Sequence, residues 1–233
     1  MVGAQEFYGY SFKVCPSVLI PRPETEVLVD VVLKNFKAEP KDKRAPLILD
    51  LCTGSGAVAV AIAKEIPWGR FIATDISKAA INIAEENAST LGVGDYVEFL
   101  EGDLFDAIKD FKPTAALISE AEIPGETLEG AFDFVLSNPP YVTTSEFKGL
   151  ALEIRDHEPK EALVAGADGL KYIKKIIKGA PKYLRPGGMI ALEIGFSQAG
   201  AVKELFKDSG RFEKVKVKKD LSGIERVVSA RLK

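Results

Sequence analysis

The 233-residue sequence is poor in the residues that staple or metallate small proteins: one histidine, two cysteines, two methionines and one tryptophan. Cys15 and Cys52 sit in apolar or Gly-rich surroundings without metal-ligand spacing, and His157 stands alone. Neither a disulfide scaffold nor a Cys/His zinc site is therefore expected. No apolar run approaches 18 residues, which predicts no membrane span. The opening residues Met1-Val2-Gly3-Ala4-Gln5-Glu6 carry neither the basic n-region nor the apolar h-region of a signal peptide. Together these absences predict a soluble cytoplasmic protein with no membrane partner.

What the chain does have is apolar and charged residues in quantity, 46% and 28%, enough for a large core and a solvated surface. The length suits one α/β domain. The net charge of −3 hides an asymmetry: residues 74–170 carry 20 acids and 6 bases, whereas residues 171–233 carry 16 bases and 6 acids. The basic part could steer an acidic partner such as ribosome-associated RNA. Wet faces of helices and an edge strand account for such lysines more often.

Residues 7–20 alternate loosely and predict a short hairpin or extended lead-in. Pro21 and Pro23 then make a rigid turn, and Glu24 and Glu26 complement the amino end of a helix running through Val27 to Phe36. Residues 37–44 read as a loop. From Pro46 a βα rhythm sets in: strands at 47–51, 70–74, 96–100, 132–136 and 189–194, helices at 57–66, 77–91, 172–184 and 198–207, and two last strands at 212–217 and 225–232. Alternation of this kind predicts a parallel sheet with helices on both faces. About seven residues separate the last two strands, too few for a crossover helix, so they should be antiparallel, with the last strand inserted in the sheet. The expected domain therefore spans 46–233, with 1–45 as a lead-in hairpin and helix packed on the core. Two stretches break the rhythm. Residues 111–130 read as a surface insertion with a short helix near Ala115–Ala121, and residues 143–169 as a lid over the carboxyl edge of the sheet.

The loop Asp50-Leu51-Cys52-Thr53-Gly54-Ser55-Gly56 follows the first strand of the rhythm. Gly54 and Gly56 allow a sharp turn and close approach of a ligand, and Asp75, ending the second strand, is placed to accept ribose hydroxyls. These features alone suit a nicotinamide dinucleotide and S-adenosylmethionine equally. Asp50, ahead of the loop, can face an ammonium group, which only the second ligand has. Asp103, ending the third strand, is placed to accept from an adenine amino group. S-adenosylmethionine is the better fit.

The fourth strand stops at Ser137-Asn138-Pro139-Pro140-Tyr141. Two prolines fix φ and hold the residues before them extended, giving a stiff elbow that offers the Asn138 side chain and bare carbonyls. The Asn138 oxygen and the Pro139 carbonyl can each accept one N–H of a planar NH2 group, and Tyr141 can stack on it. The N-methylated, still protonated amide that transfer first forms is acidic enough to lose its extra proton without a strong base, so the lone histidine is not needed. The alternative is a plain Pro-Pro turn ending a strand.

Five parallel strands plus a terminal hairpin match the class I S-adenosylmethionine-dependent methyltransferase fold, a Rossmann-like α/β arrangement whose seven-stranded sheet is mostly parallel with an antiparallel C-terminal hairpin. In motifs, the chain resembles HemK/PrmC-type protein-(glutamine-N5) methyltransferases. The resemblance rests on Leu19-Ile20-Pro21-Arg22-Pro23-Glu24-Thr25-Glu26, the 50–56 loop, Asn138-Pro139-Pro140-Tyr141, Glu158-Pro159-Lys160-Glu161-Ala162-Leu163 and Lys219-Asp220-Leu221-Ser222-Gly223, in that order. It implies methylation of the glutamine in the Gly-Gly-Gln motif of a peptide-chain release factor. It also implies cofactor contacts at Asp50, Cys52, Thr53, Gly54, Ser55, Gly56, Asp75, Asp103, Leu104 and Asn138, a substrate site at Asn138, Pro139, Pro140 and Tyr141, and no metal. Cys52 replaces a common Gly, Leu104 a common aromatic, and the helical amino-terminal domain of many members has no counterpart in this sequence. Other readings are a ribosomal-protein glutamine methyltransferase, a DNA adenine-N6 methyltransferase, and a cofactor-binding protein without activity. The acidic surroundings of the elbow speak against DNA.

Overall fold

A computed structural model describes residues 3–36 and 44–233. The predicted loop at 37–44 lies outside them except for Arg44. Strands β1 (Ala4–Phe7) and β2 (Tyr10–Lys13) form the expected hairpin. Tyr8 and Gly9 take φ of 51° and 77°, the left-handed pair that matches a two-residue hairpin to the twist of its strands. A 3-10 turn at Pro23–Thr25 leads into α1 (Glu26–Leu33). The helix stops short of Phe36. Glu26, expected only to complement the helix end, also accepts the Tyr8 backbone N–H at 2.8 Å and ties hairpin to helix.

The main sheet comprises β3 (Leu47–Leu51), β4 (Arg70–Asp75), β5 (Val97–Glu101), β6 (Phe132–Ser137), β7 (Leu184–Glu193), β8 (Phe212–Lys219) and β9 (Glu225–Leu232), in the order β5-β4-β3-β6-β7-β9-β8. The first five are parallel neighbours, and β9 runs antiparallel to both β7 and β8. The terminal strand is thus inserted in the sheet, as its short connection requires. This is the class I S-adenosylmethionine-dependent methyltransferase arrangement.

Helices α2 (Ala57–Glu65), α3 (Lys78–Thr90), α4 (Ala115–Ala121), α5 (Thr144–Phe147), α6 (Leu152–Arg155), α7 (Lys171–Tyr183) and α8 (Ala199–Ser209) complete the fold. Alternation along β3 divides the core. Leu47, Leu49 and Leu51 pack with Ile173, Ile176 and Phe206 on one face, and Ile48 packs with Leu28, Ile62 and Phe71 on the other. Every residue of β3 is buried, the expected state of a central parallel strand. Strand β7 starts five residues earlier than its apolar run, at Leu184, and Pro186-Gly187-Gly188 falls inside it. A register shift opposite Phe132–Phe134 absorbs that segment.

The stretch 111–130 differs from the surface insertion expected of it. Its helix, α4, lies where predicted, but Leu117, Ala121, Ile123 and Leu128 are all buried in the main core. Its acids are the solvated side of an amphipathic segment whose apolar side closes the sheet's amino edge. Glu120 pairs with Arg70 at the start of β4, and its carbonyl accepts from Ala45 just ahead of β3. The segment is therefore at the opposite edge from the loops that follow the strands.

Candidate active site

The order of strands reverses between β3 and β6, which makes the crevice beyond their carboxyl ends the place where an open α/β sheet binds ligands. The 50–56 loop leaves β3 there, and the Asn138 elbow leaves β6. Ser137 Oγ donates to the Leu51 carbonyl at 2.7 Å and fixes the two strand ends together. The loop turns through left-handed residues: Cys52 at φ 59°, Gly54 at 57° and Gly56 at 80°. A Cβ on Gly56 would lie 3.0 Å from that of Ala84, so glycine here lets α2 pack against α3. Asn87, buried in α3, donates to the Ser55 carbonyl at 2.9 Å and braces the loop from behind.

A cavity of about 430 Å³ opens over this loop, within the size range of small-molecule sites. Of the predicted residues, Cys52, Gly54, Asp75, Asp103, Leu104, Asn138 and Pro140 line it. Asp50, Thr53, Ser55, Gly56, Pro139 and Tyr141 do not. Asp50 is buried beneath the loop, where its carboxylate accepts from the Thr53 hydroxyl at 2.7 Å. Tyr141 turns its hydroxyl toward Glu193, 3.3 Å away, and its ring leans on Gly195, where a Cβ would come within 3.0 Å of it. Asp103 pairs with Lys175 at 2.7 Å on the cavity rim.

Asp75 accepts the backbone N–H of Gly54 at 2.9 Å through one oxygen and that of Ser77 at 3.0 Å through the other. Each carboxylate oxygen has a second lone pair, so the group can still accept two ligand hydroxyls. Ser77 meanwhile caps α3 by accepting from Ala80, as its position predicts. A strand-end acid with free lone pairs, a left-handed loop without side chains in the way and a cavity of this size fit S-adenosylmethionine.

Several wall residues carry no motif of their own. Val18, Ala80 and Tyr172 add apolar surface. Pro159, Glu161 and Ala162 come from the Glu-Pro-Lys-Glu-Ala-Leu block, and the preceding Glu158, buried, pairs with Arg22 of the Leu-Ile-Pro-Arg block. That ion pair joins two motifs 136 residues apart and holds segment 143–169 against the 3-10 turn.

Two buried carboxyls are perturbed alike. Burial pushes Asp50 and Glu193 up to about 7, against the opposing pull of hydrogen bonds from the Thr53 and Tyr141 hydroxyls. Burial raises Asp75 as well. Folded protein then holds protons that the unfolded chain releases, so stability falls as pH rises from the ordinary carboxylate range to about 7. The acids held below their ordinary range by partners, Glu146, Asp168 and Asp220, act below that window. The denaturant midpoint of the cofactor-free protein should drop between about pH 5 and about pH 8. A midpoint that climbs steadily over that interval contradicts the assignment.

Residues 42–223 match a protein family described as "Methyltransferase domain". A release factor glutamine methyltransferase of Rhodopirellula baltica is 38% identical over 229 residues, covering 98% of this chain and 71% of that protein. One from Thermodesulfovibrio yellowstonii is 41% identical over 228 residues, covering 98% and 74%. Among solved structures, the N-terminal domain of human METTL16 in complex with SAH superimposes with a TM-score of 0.63 at 18% identity, covering 96% of this chain and 76% of that one, a likeness of fold. With the methyltransferase sheet, its cofactor-sized crevice and similarity of this degree along nearly the whole of this chain, the chain belongs to the release factor glutamine methyltransferase family.

Proposed function

We propose that this protein transfers the methyl group of S-adenosylmethionine to the side-chain amide nitrogen (N5) of a glutamine, the one in the Gly-Gly-Gln motif of a peptide-chain release factor. One observation carries this reading beyond family membership. The Asn138 Nδ2 donates to Thr25 Oγ1 at 3.2 Å, which leaves Asn138 Oδ1 as a free acceptor on the cavity wall. An acceptor there suits an NH2 group, and we assign the second acceptor to the Pro139 carbonyl of the same elbow, which a bound substrate would have to reach from beyond the cavity wall.

When bound, the cofactor supplies a methyl group activated by its sulfonium. Asp75 holds the ribose hydroxyls, Asp103 and Leu104 the adenine end, and the 52–56 backbone the amino-acid end, with Asp50 supplying negative charge beneath it. Asn138 Oδ1 and the Pro139 carbonyl take the two N–H groups of the substrate amide and set its plane, a contribution of orientation and electrostatics. With the amide so held, its nitrogen would take the activated methyl group, and the extra proton would pass to water. Tyr141 acts from behind the elbow, its hydroxyl held by Glu193. Residues 143–169 form the lid over this crevice.

Incubation with labelled cofactor and a release factor tests the reading. Label should enter the wild-type factor and not its Gln→Ala variant; equal labelling of both refutes it. Two large apolar side chains stand exposed at the same sheet edge, Phe196 just past β7 and Leu221 in the β8–β9 turn. We assign them to the substrate loop. Phe196→Ser and Leu221→Ser should each raise KM for the protein substrate about 10-fold or more, since each such side chain contributes about 1.5–3 kcal/mol when buried, with cofactor affinity unchanged in calorimetry.

A further inference from the structure

We infer that Gln198 is a positioning residue that holds the outgoing side of the Asn138–Tyr141 elbow, and the lid with it, in fixed register with the end of β7. The inference rests on the glutamine reading and adds to it what keeps the clamp in place. Gln198 is the N-cap of α8, yet its side chain makes no bond to the first turn of that helix, the usual work of a capping side chain. Its amide goes to three other backbone groups instead.

Oε1 accepts the Gly195 N–H at 2.9 Å, just past β7. Nε2 donates to the Tyr141 carbonyl at 3.1 Å and to the Gly169 carbonyl at 3.3 Å. Tyr141 ends the elbow, and Gly169 ends the lid. One side chain thus joins segments 57 and 29 residues away in sequence. Both hydrogens of the NH2 group are used, so the amide has one acceptable orientation. Reversed, it would set NH2 against the Gly195 N–H and an oxygen against two carbonyls.

The backbone around Gln198 leaves room for nothing else. A Cβ on Gly169 would lie 2.4 Å from the Tyr141 oxygen and 2.6 Å from Nε2, and one on Gly195 would lie 3.2 Å from Oε1. Gly169 also takes a φ of 69°, which glycine adopts at no steric cost. Beyond Tyr141 the chain is already joined to the lid: Val142 N–H donates to the Leu163 carbonyl at 2.9 Å, Ala165 N–H to the Val142 carbonyl at 2.8 Å and Thr144 N–H to the Gly166 carbonyl at 2.9 Å. That strip ties lid to elbow, and Gln198 ties both to the end of β7. The turn that Gln198 closes, Gly195–Gln198, presents Phe196, so the surface assigned to the substrate protein and the clamp for its amide meet on one side chain. Gln198 itself stands outside the cavity wall. Its loss therefore acts on the alignment of the amide and not on the cofactor.

Gln198→Leu removes all three bonds, and Gln198→Glu keeps the acceptor for Gly195 while removing both donors. With saturating cofactor and release factor, kcat should fall about 10- to 100-fold in each, the scale of a small misplacement of reacting groups, with cofactor affinity within about 2-fold. In an Asn138→Ala background the leucine change should cost about 3-fold at most, because the group it positions is gone. An equal loss in both backgrounds is the mark of a general structural role and overturns the inference. Hydrogen exchange supplies a readout without substrate. The Gly195 amide should exchange slowly in wild type and Gln198→Glu and fast in Gln198→Leu, with the Val142 and Ala165 amides faster than wild type in both variants. Unchanged exchange at these amides in Gln198→Leu overturns the inference. If the leucine variant does not fold, a Gln198→Glu enzyme with the wild-type kcat overturns it. A wild-type enzyme that leaves release factors unmethylated refutes the glutamine reading, and the exchange experiment still decides whether Gln198 anchors the elbow.

Discussion

Asn138→Ala should reduce methyl transfer about 100- to 1,000-fold, the loss typical of removing a preorganised hydrogen-bond partner of the reacting group. Cofactor affinity should stay within about 3-fold of wild type by calorimetry, because the cavity keeps its strand-end acids and its loop. The expected size follows from what the side chain does. It is fixed at the end of β6 by a stiff Pro-Pro segment, its NH2 is taken up by Thr25, and Oδ1 is left to one task. Alanine removes an acceptor that an amide nitrogen must meet in a single orientation for its face to point at the methyl group. Tighter or unchanged turnover in the variant, or a loss confined to cofactor binding, contradicts the assigned role.

Asp75→Ala should act in the opposite way, weakening cofactor binding about 10- to 100-fold, since each hydrogen bond to a charged group contributes about 1.5–3 kcal/mol. The variant also strands the backbone donors of Gly54 and Ser77, which Asp75 now satisfies at 2.9 and 3.0 Å. Once saturated with cofactor, it should transfer at close to the wild-type rate. Calorimetric titration together with rates at saturating cofactor checks both halves. Wild-type affinity in the variant would remove Asp75 from the site.

The sheet and its order could be read from residue pattern because they follow from local period and connection length. The buried run Leu47–Leu51 and the short hairpin before Glu225 each admit one arrangement. The strand-end acids Asp75 and Asp103 could be placed at one edge for the same reason: strand ends are local features, and the topology brings them together. What could not be read was pairing across long sequence separations. Thr25 meets Asn138 across 113 residues, and Arg22 meets Glu158 across 136. Within the Leu-Ile-Pro-Arg block, a rigid lead into α1 explained those residues equally well. Glu193 lies inside the apolar run 189–194; its burial beside Tyr141 has no signal in sequence apart from an acid where the pattern calls for solvent or a partner. The 111–130 stretch misled in the other direction, since its prolines and acids outweighed the spacing of Leu117, Ala121 and Ile123, which the core takes up.

Tandem mass spectrometry of a release factor after incubation with the protein and S-adenosylmethionine tests the central claim most directly. The account predicts one added methyl group, on the side-chain nitrogen of the Gly-Gly-Gln glutamine. A methyl group on any other residue, or none on the factor while nucleic acid in the same mixture becomes methylated, would contradict it.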